Sequence, residues 1–393
     1  MTVSDYRKLM DRLLEMPACA LLTTGRTGTD LLQSLLDSHP EVLVFIGSFF
    51  YHKFWNNSVC VAAGDFELSD FVDEFIGKHI GILQSKYDIT ERRNQLGDDH
   101  NQSVSIDLGE FKSGVTNLLS GREINSKNSM IAIYAAYAMC LGQDIEKKTL
   151  LLHHLHHAER LGNYLKDFPD SKIICMTRDP RANFVSGIEH WRKFDPSTDQ
   201  GSHLHFYIKR ILEDATVLEK YNNEYIAIRI EDIGRENVLR KLCKWLNISY
   251  NRCLMKSTWG GLTWHGDRLS EKRSEGSGWS AEMLKNRWET RLSFIDKYVL
   301  NYIMFYRLRY YGYSYQKISI LDSIVMPFLI LLPLSYEWRF ISFSYIRDCL
   351  RDREYLKITS NVIFYRRRVG LFMQFYSKIT RREKFNQPFL SCE

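Results

Sequence analysis

Residues 18–36 read Ala-Cys-Ala-Leu-Leu-Thr-Thr-Gly-Arg-Thr-Gly-Thr-Asp-Leu-Leu-Gln-Ser-Leu-Leu. The reading of Thr23-Thr24-Gly25-Arg26-Thr27-Gly28-Thr29-Asp30 at their centre decides the fold. The apolar run at 18–22 predicts a buried strand, and leucines at 31, 32, 35 and 36 predict one face of a helix. A strand, a turn with two glycines and a helix start make an anion site. Gly25 and Gly28 let backbone N–H groups turn inward, and the first helical turn adds unpaired donors and the positive end of its dipole. Arg26 and the hydroxyls of Thr27 and Thr29 complete a pocket suited to a phosphate or a sulfate ester. The phosphate loop of nucleotide triphosphatases requires Gly-Lys-Ser/Thr, which is missing, so a kinase of a small molecule or sugar is the disfavoured alternative. An ordinary strand-to-helix connection is the plainer one.

A second stretch bears on that choice. Lys172-Ile173-Ile174-Cys175-Met176-Thr177 predicts another buried strand, followed by Arg178-Asp179-Pro180 and, further on, Ser186. Asp179 can cap a helix and Pro180 can open one, which places Arg178 at the strand's carboxyl end and Ser186 about two turns into the helix. Two cationic strand ends suit one ligand with an anionic group at each end.

Together these segments resemble the sulfotransferases that use 3′-phosphoadenosine 5′-phosphosulfate (PAPS). The family's 5′-phosphosulfate loop is similar to Arg26-Thr27-Gly28-Thr29-Asp30, with Asp30 standing where a hydroxyl is usual. Its 3′-phosphate motif is similar to Arg178-Asp179-Pro180 with Ser186. Lys272-Arg273-Ser274-Glu275-Gly276-Ser277-Gly278-Trp279 resembles the family's second 3′-phosphate contact, with Ser274 in place of a glycine; a solvated basic loop is the other reading. The resemblance covers roughly residues 15–315. It implies an α/β fold with a central parallel sheet, helices on both faces, PAPS as donor and no metal.

The run 148–152 predicts a third strand that delivers His153, His154, His156 and His157 at its end. Four histidines in five positions can be polar residues at a loop mouth, metal ligands, or a general base at the carboxyl end of a parallel strand. Metal ligation would want an acidic or thiol partner within the cluster, and residues 153–157 contain none. In the family a lysine and a histidine precede the 3′-phosphate arginine. Gap-free counting from Arg178 puts these at His154 and His156, so the resemblance implies His156 as base, with His154 second and His153 and His157 still open. The lysine is missing, and its role of holding the leaving oxygen falls to Arg26.

Residues 41–46 predict the second strand, and between it and the third, residues 47–148 read as a helical insertion, irregular in the middle; in the family such an insertion covers the acceptor site. Residues 225–230 predict a further strand, and Glu231-Asp232 after it is a structural rather than catalytic pair. In Trp259-Gly260-Gly261-Leu262-Thr263-Trp264 the tryptophans either stack on a sugar or adenine or close the core.

At 393 residues, 45% apolar and 25% charged, the chain is globular. Eight cysteines, at 19, 60, 140, 175, 243, 253, 349 and 392, show no Cys-x-x-Cys and read as reduced thiols of a cytoplasmic protein. The amphipathic start predicts a helix rather than a signal or anchor. Residues 1–316 form the expected catalytic domain, and 317–393 a basic, aromatic, mostly helical extension. From residue 339 to 384 there are twelve Lys/Arg against four Asp/Glu, an excess larger than the +6 of the whole chain. Interleaved aromatics suit an anionic membrane surface at the inner face of the membrane. No nucleic-acid module is recognisable, and packing on the domain or a subunit contact in an oligomer is the plainer alternative. The apolar run at 323–334 is short of the about 20 residues a spanning helix needs and is interrupted twice by proline. The expected acceptor is a carbohydrate, a surface polysaccharide or a glycolipid precursor. A non-catalytic nucleotide-binding or membrane scaffold protein is the third reading.

Overall fold

Five apolar runs form the sheet: β1 (Ala18–Thr23), β2 (Val42–Val44), β3 (Leu150–His157), β4 (Lys172–Thr177) and β5 (Tyr225–Arg229). The structure is a computed structural model that describes residues 2–23, 25–47, 49–59, 67–87, 95–192, 200–217, 220–266 and 288–380. The strands pair in the order β2-β3-β1-β4-β5 and every pairing is parallel. The order places β1 between β3 and β4, so the carboxyl ends of the three strands that carry the motifs lie side by side, where ligands of open α/β sheets bind.

Parallel strands must be covered on both faces, because crossover helices lie on each, and the burial pattern shows it. Ala18, Ala20, Leu22, Leu43, Leu151, Ile173 and Cys175 enter one core. Cys19, Leu21, Val42, Val44, Leu152, Ile174 and Met176 enter the other. The first is covered by α1 (Val3–Leu14), α3 (Tyr51–Phe54), α4 (Leu68–Leu83), α5 (Leu108–Leu119), α6 (Ser126–Cys140) and α7 (Leu161–Asp167). The second is covered by α2 (Thr29–Leu36) and α10 (Glu236–Leu246). The amphipathic start is helical as expected, with Leu9, Met10 and Leu13 buried.

A third core lies beside the sheet. There α8 (Pro180–Arg192) and α9 (Gln200–Val217) meet α11 (Trp288–Arg291), α12 (Phe294–Ile303) and α13 (Phe305–Tyr310). They also meet helices of the extension, α14 (Ile320–Ile330), α15 (Ser335–Ile341) and α17 (Tyr355–Thr380), while α16 (Phe343–Arg351) packs on α15 and α17. Phe372, Phe375 and Ile379 of α17 share this core with Phe184, Ile208 and Ile211.

Two local readings change. The strand expected to stop at Leu152 continues through the histidines to His157. In the extension, α14 runs through Pro327 instead of breaking there. A proline inside a helix leaves the carbonyl four residues back without its N–H partner. That carbonyl, of Ser323, accepts the Tyr376 hydroxyl of α17 at 2.9 Å. The tryptophan loop is a short hairpin, β6 (Thr258–Trp259) with β7 (Leu262–Thr263), turned by Gly260 and Gly261. Both tryptophans are buried, 5.5 Å apart, so they close the core.

Candidate functional site

The turn after β1 has left-handed backbone at Gly25, Arg26 and Gly28, with φ of 95°, 57° and 85°. Side-chain hydroxyls hold it. Thr23 Oγ1 accepts the Gly25 N–H at 2.8 Å and lies 2.6 Å from Thr27 Oγ1, which is 3.4 Å from Thr29 Oγ1. All three threonines are buried. Gly28 caps α2, and a Cβ there would meet the Ile230 side chain just beyond β5, so the glycine is required by space as well as by φ. A left-handed stretch that leads into a helix start is the kind of turn that binds anions.

The second motif comes to the same place. β4 delivers Arg178 next to the end of β1, and Pro180 opens α8, which carries Ser186. Arg26 Nε donates to Ser186 Oγ at 3.4 Å, bridging the loop after β1 and the helix after β4. Asp179 pairs with Arg181 rather than with the loop (2.7 Å), and its backbone N–H is held by Glu231 at 3.1 Å. Glu231 also accepts the Tyr313 hydroxyl, and burial raises its pKa. Glu231 therefore braces the motif, while Asp232 pairs with Arg229 at 2.5 Å.

Sequence reading passed over Tyr207. It reaches in from α9 and packs between Gly25 and Gly187; a Cβ on Gly187 would overlap its ring. Its hydroxyl donates to the Asn183 carbonyl at 2.9 Å and lies 3.5 Å from the Gly25 carbonyl. Burial raises its pKa, and Arg26 and Arg178 both pull it back, so both guanidiniums act on one ring. The only sequence trace of this contact is a glycine in the helix after Arg178.

The four histidines separate by face. His153 turns into the first core, with Nδ1 2.7 Å from the Tyr134 hydroxyl and its ring stacked on Tyr164. Burial holds its pKa well below 6.5. His157 is held down to about 2, first by burial and then by His156, Arg210 and Arg160. His154 turns to α2, where Nδ1 lies 2.9 Å from Gln33 Oε1 and 3.5 Å from the Asp30 carboxylate. Asp30, the departure from the family's loop, thus faces a histidine. After His154 the register slips by one: Leu21 pairs with His154 and Leu22 with His156, leaving Leu155 as a buried bulge. His156 takes φ of 70°, a conformation histidine tolerates better than most. Its Nδ1 lies 3.3 Å from His154 Nε2.

Those contacts fix the protons. Gln33 Nε2 donates to the Phe45 carbonyl at 2.8 Å, so Oε1 faces His154. His154 Nδ1 then donates to Gln33 Oε1, and a neutral His154 would accept from His156 Nδ1 at Nε2. Gln33 was invisible as a functional residue among the leucines of α2. Beside His156 stands half-exposed Phe50, 6.4 Å away between ring centres, with the Arg160 guanidinium over the Phe50 ring, 3.3 Å from its centre. Lys272 and Arg273 lie outside the described residues, as does Thr24.

Three solved structures resemble the chain at low identity. The sulfotransferase domain from the Synechococcus PCC 7002 olefin synthase is 15% identical, TM-score 0.34, over 81% of this chain and 95% of that one. The sulfotransferase domain from the curacin biosynthetic pathway is 15% identical, TM-score 0.30, over 61% and 77%. Sulfotransferase STF9 from Mycobacterium avium is 14% identical, TM-score 0.32, over 64% and 69%. Curated protein sequences give no match. The sulfotransferase domain family model matches residues 17–227, more than half of the 393 residues, from the start of β1 into β5. A parallel sheet with the loop after β1 joined to the helix after β4, matched by that family model over the same segment, means that this chain belongs to the sulfotransferase family.

Proposed function

We propose that the protein transfers the sulfuryl group of PAPS to a carbohydrate hydroxyl, with His156 as general base. The observation that carries the reading is the Arg26–Ser186 hydrogen bond, which ties the loop after β1 to the helix that follows Arg178 and so supports a donor with phosphates at both ends. In this assignment Gly25, Arg26, Thr27, Gly28 and Thr29 hold the 5′-phosphosulfate, and Arg178 and Ser186 hold the 3′-phosphate. Lys272 and Arg273 add to the 3′-phosphate contact. Asp30 closes the loop on the donor side and lies 3.5 Å from His154 Nδ1.

When bound, the donor supplies an activated sulfur. The acceptor oxygen attacks it in line, the bond from sulfur to the bridging phosphate oxygen breaks, and the acceptor proton passes to His156 Nε2. Arg26 and the start of α2 take up the charge on the departing oxygen. His154 keeps the His156 ring in the reactive tautomer. Phe50 beside His156 offers an aromatic face to a sugar ring, which supports the acceptor class. Adenosine 3′,5′-bisphosphate should bind without magnesium and ATP should bind far more weakly. Labelled sulfate should pass from PAPS into a glycan of a polysaccharide panel. His156→Ala should abolish that transfer and leave bisphosphate binding intact. Tighter binding of ATP with magnesium would overturn the donor assignment, and full turnover in His156→Ala would overturn the base.

A further inference from the structure

Every exposed position from 320 to 332 is apolar: Ile320, Leu321, Ile324, Phe328, Leu331 and Leu332, from 42% to 83% exposed. They form the outward side of α14, whose inward side buries Met326 and Ile330 in the third core. Scattered apolar side chains are ordinary on a protein surface, but an unbroken row without one polar residue is not. The row ends against cations. Tyr365 of α17 donates to the Leu331 carbonyl, and Arg368 donates to the carbonyls of Ile330 (2.5 Å) and Leu332 (3.0 Å). Arg366 and Arg367, between them in sequence, are exposed, and α17 contains five Lys/Arg and no Asp or Glu.

We propose that α14 lies in the plane of an anionic phospholipid bilayer, its outward row sunk to the acyl boundary and Arg366 and Arg367 at the headgroups. The stretch Ile320–Trp338 is long and apolar enough to cross a membrane by length and composition. Yet the helix stops at Ile330 and restarts at Ser335, and Glu337 within the stretch is buried in an ion pair with Arg368 at 2.7 Å. Straightening α14 and α15 into one span would break that pair and the two carbonyl bonds of Arg368, leaving Glu337 unpartnered in hydrocarbon. A second copy of the chain would have to answer the arginines with carboxylates from outside α17, which holds none. This inference stands apart from the sulfuryl-transfer reading.

Flotation of the full chain with vesicles of phosphatidylcholine, alone or mixed with phosphatidylglycerol, tests it. The wild-type chain should float with the mixed vesicles and be released by alkaline carbonate. The double variant Ile324→Glu, Phe328→Glu should lose more than about tenfold of the bound fraction, with circular dichroism and bisphosphate binding unchanged. Arg366→Gln with Arg367→Gln should erase the preference for phosphatidylglycerol while folding normally. Failure of the wild-type chain to float, equal flotation of the glutamate variant, or resistance to carbonate would each overturn the proposal. So would a wild-type dimer that the glutamates make monomeric without any vesicle binding.

Discussion

At His156 one ring nitrogen is chosen by a residue two contacts away. Gln33→Leu removes the acceptor that holds the His154 hydrogen on Nδ1, and the reactive tautomer of His156 loses its support. We expect kcat to fall roughly ten- to a hundredfold with the bisphosphate dissociation constant unchanged; an unaltered kcat would separate Gln33 from the reaction. His153 carries a pH consequence. Its Nε2 is buried with no partner and its folded pKa is depressed, so a proton is taken up by the unfolded chain first. Its contribution is complete above 6.5 and is lost as pH falls below it, and His157 works in the same direction down to about 2. Urea midpoints should therefore drop between pH 7.5 and pH 5, with a shallower slope in His153→Gln. Equal midpoints at both values would contradict this.

Among the elements, the contact between α8 and α9 decides whether the donor loop keeps its shape. A methyl at 187 overlaps Tyr207, the ring that braces Gly25, so Gly187→Ala should weaken bisphosphate binding at least about tenfold and lower stability by about 1–3 kcal/mol. Calorimetric binding and thermal melts would show it, and wild-type values in both would refute it. The strands and the two motifs were legible because buried parallel strands are continuous apolar runs and because anion loops need glycines at set places. The bulge at Leu155 was not, since periodicity cannot report a register slip that exists only against a neighbouring strand. Tyr207 and Gln33 were hidden for the same reason: each sits in an ordinary helical pattern and gains its part only from a residue far away in sequence. The prolines misled because the Tyr376 hydroxyl that rescues α14 lies 53 positions after the carbonyl it satisfies.

For the whole molecule, the extension is part of what holds the donor side together. Leu371, Phe372, Phe375 and Ile379 of α17 are buried in the core that contains Phe184 and Ile188 of the Ser186 helix. A chain ending at residue 316 should aggregate or bind bisphosphate poorly, by size-exclusion and calorimetry. A monodisperse fragment with wild-type affinity would show that α8 needs no such cover. The same arrangement sets an order for biosynthesis. Ser186 leaves the ribosome long before Phe372 and Phe375 do, and at roughly 5–20 residues per second the interval is on the order of ten seconds or more. Through that time the nascent α8 and α9 present an uncovered apolar side, a natural target for holding chaperones until translation ends.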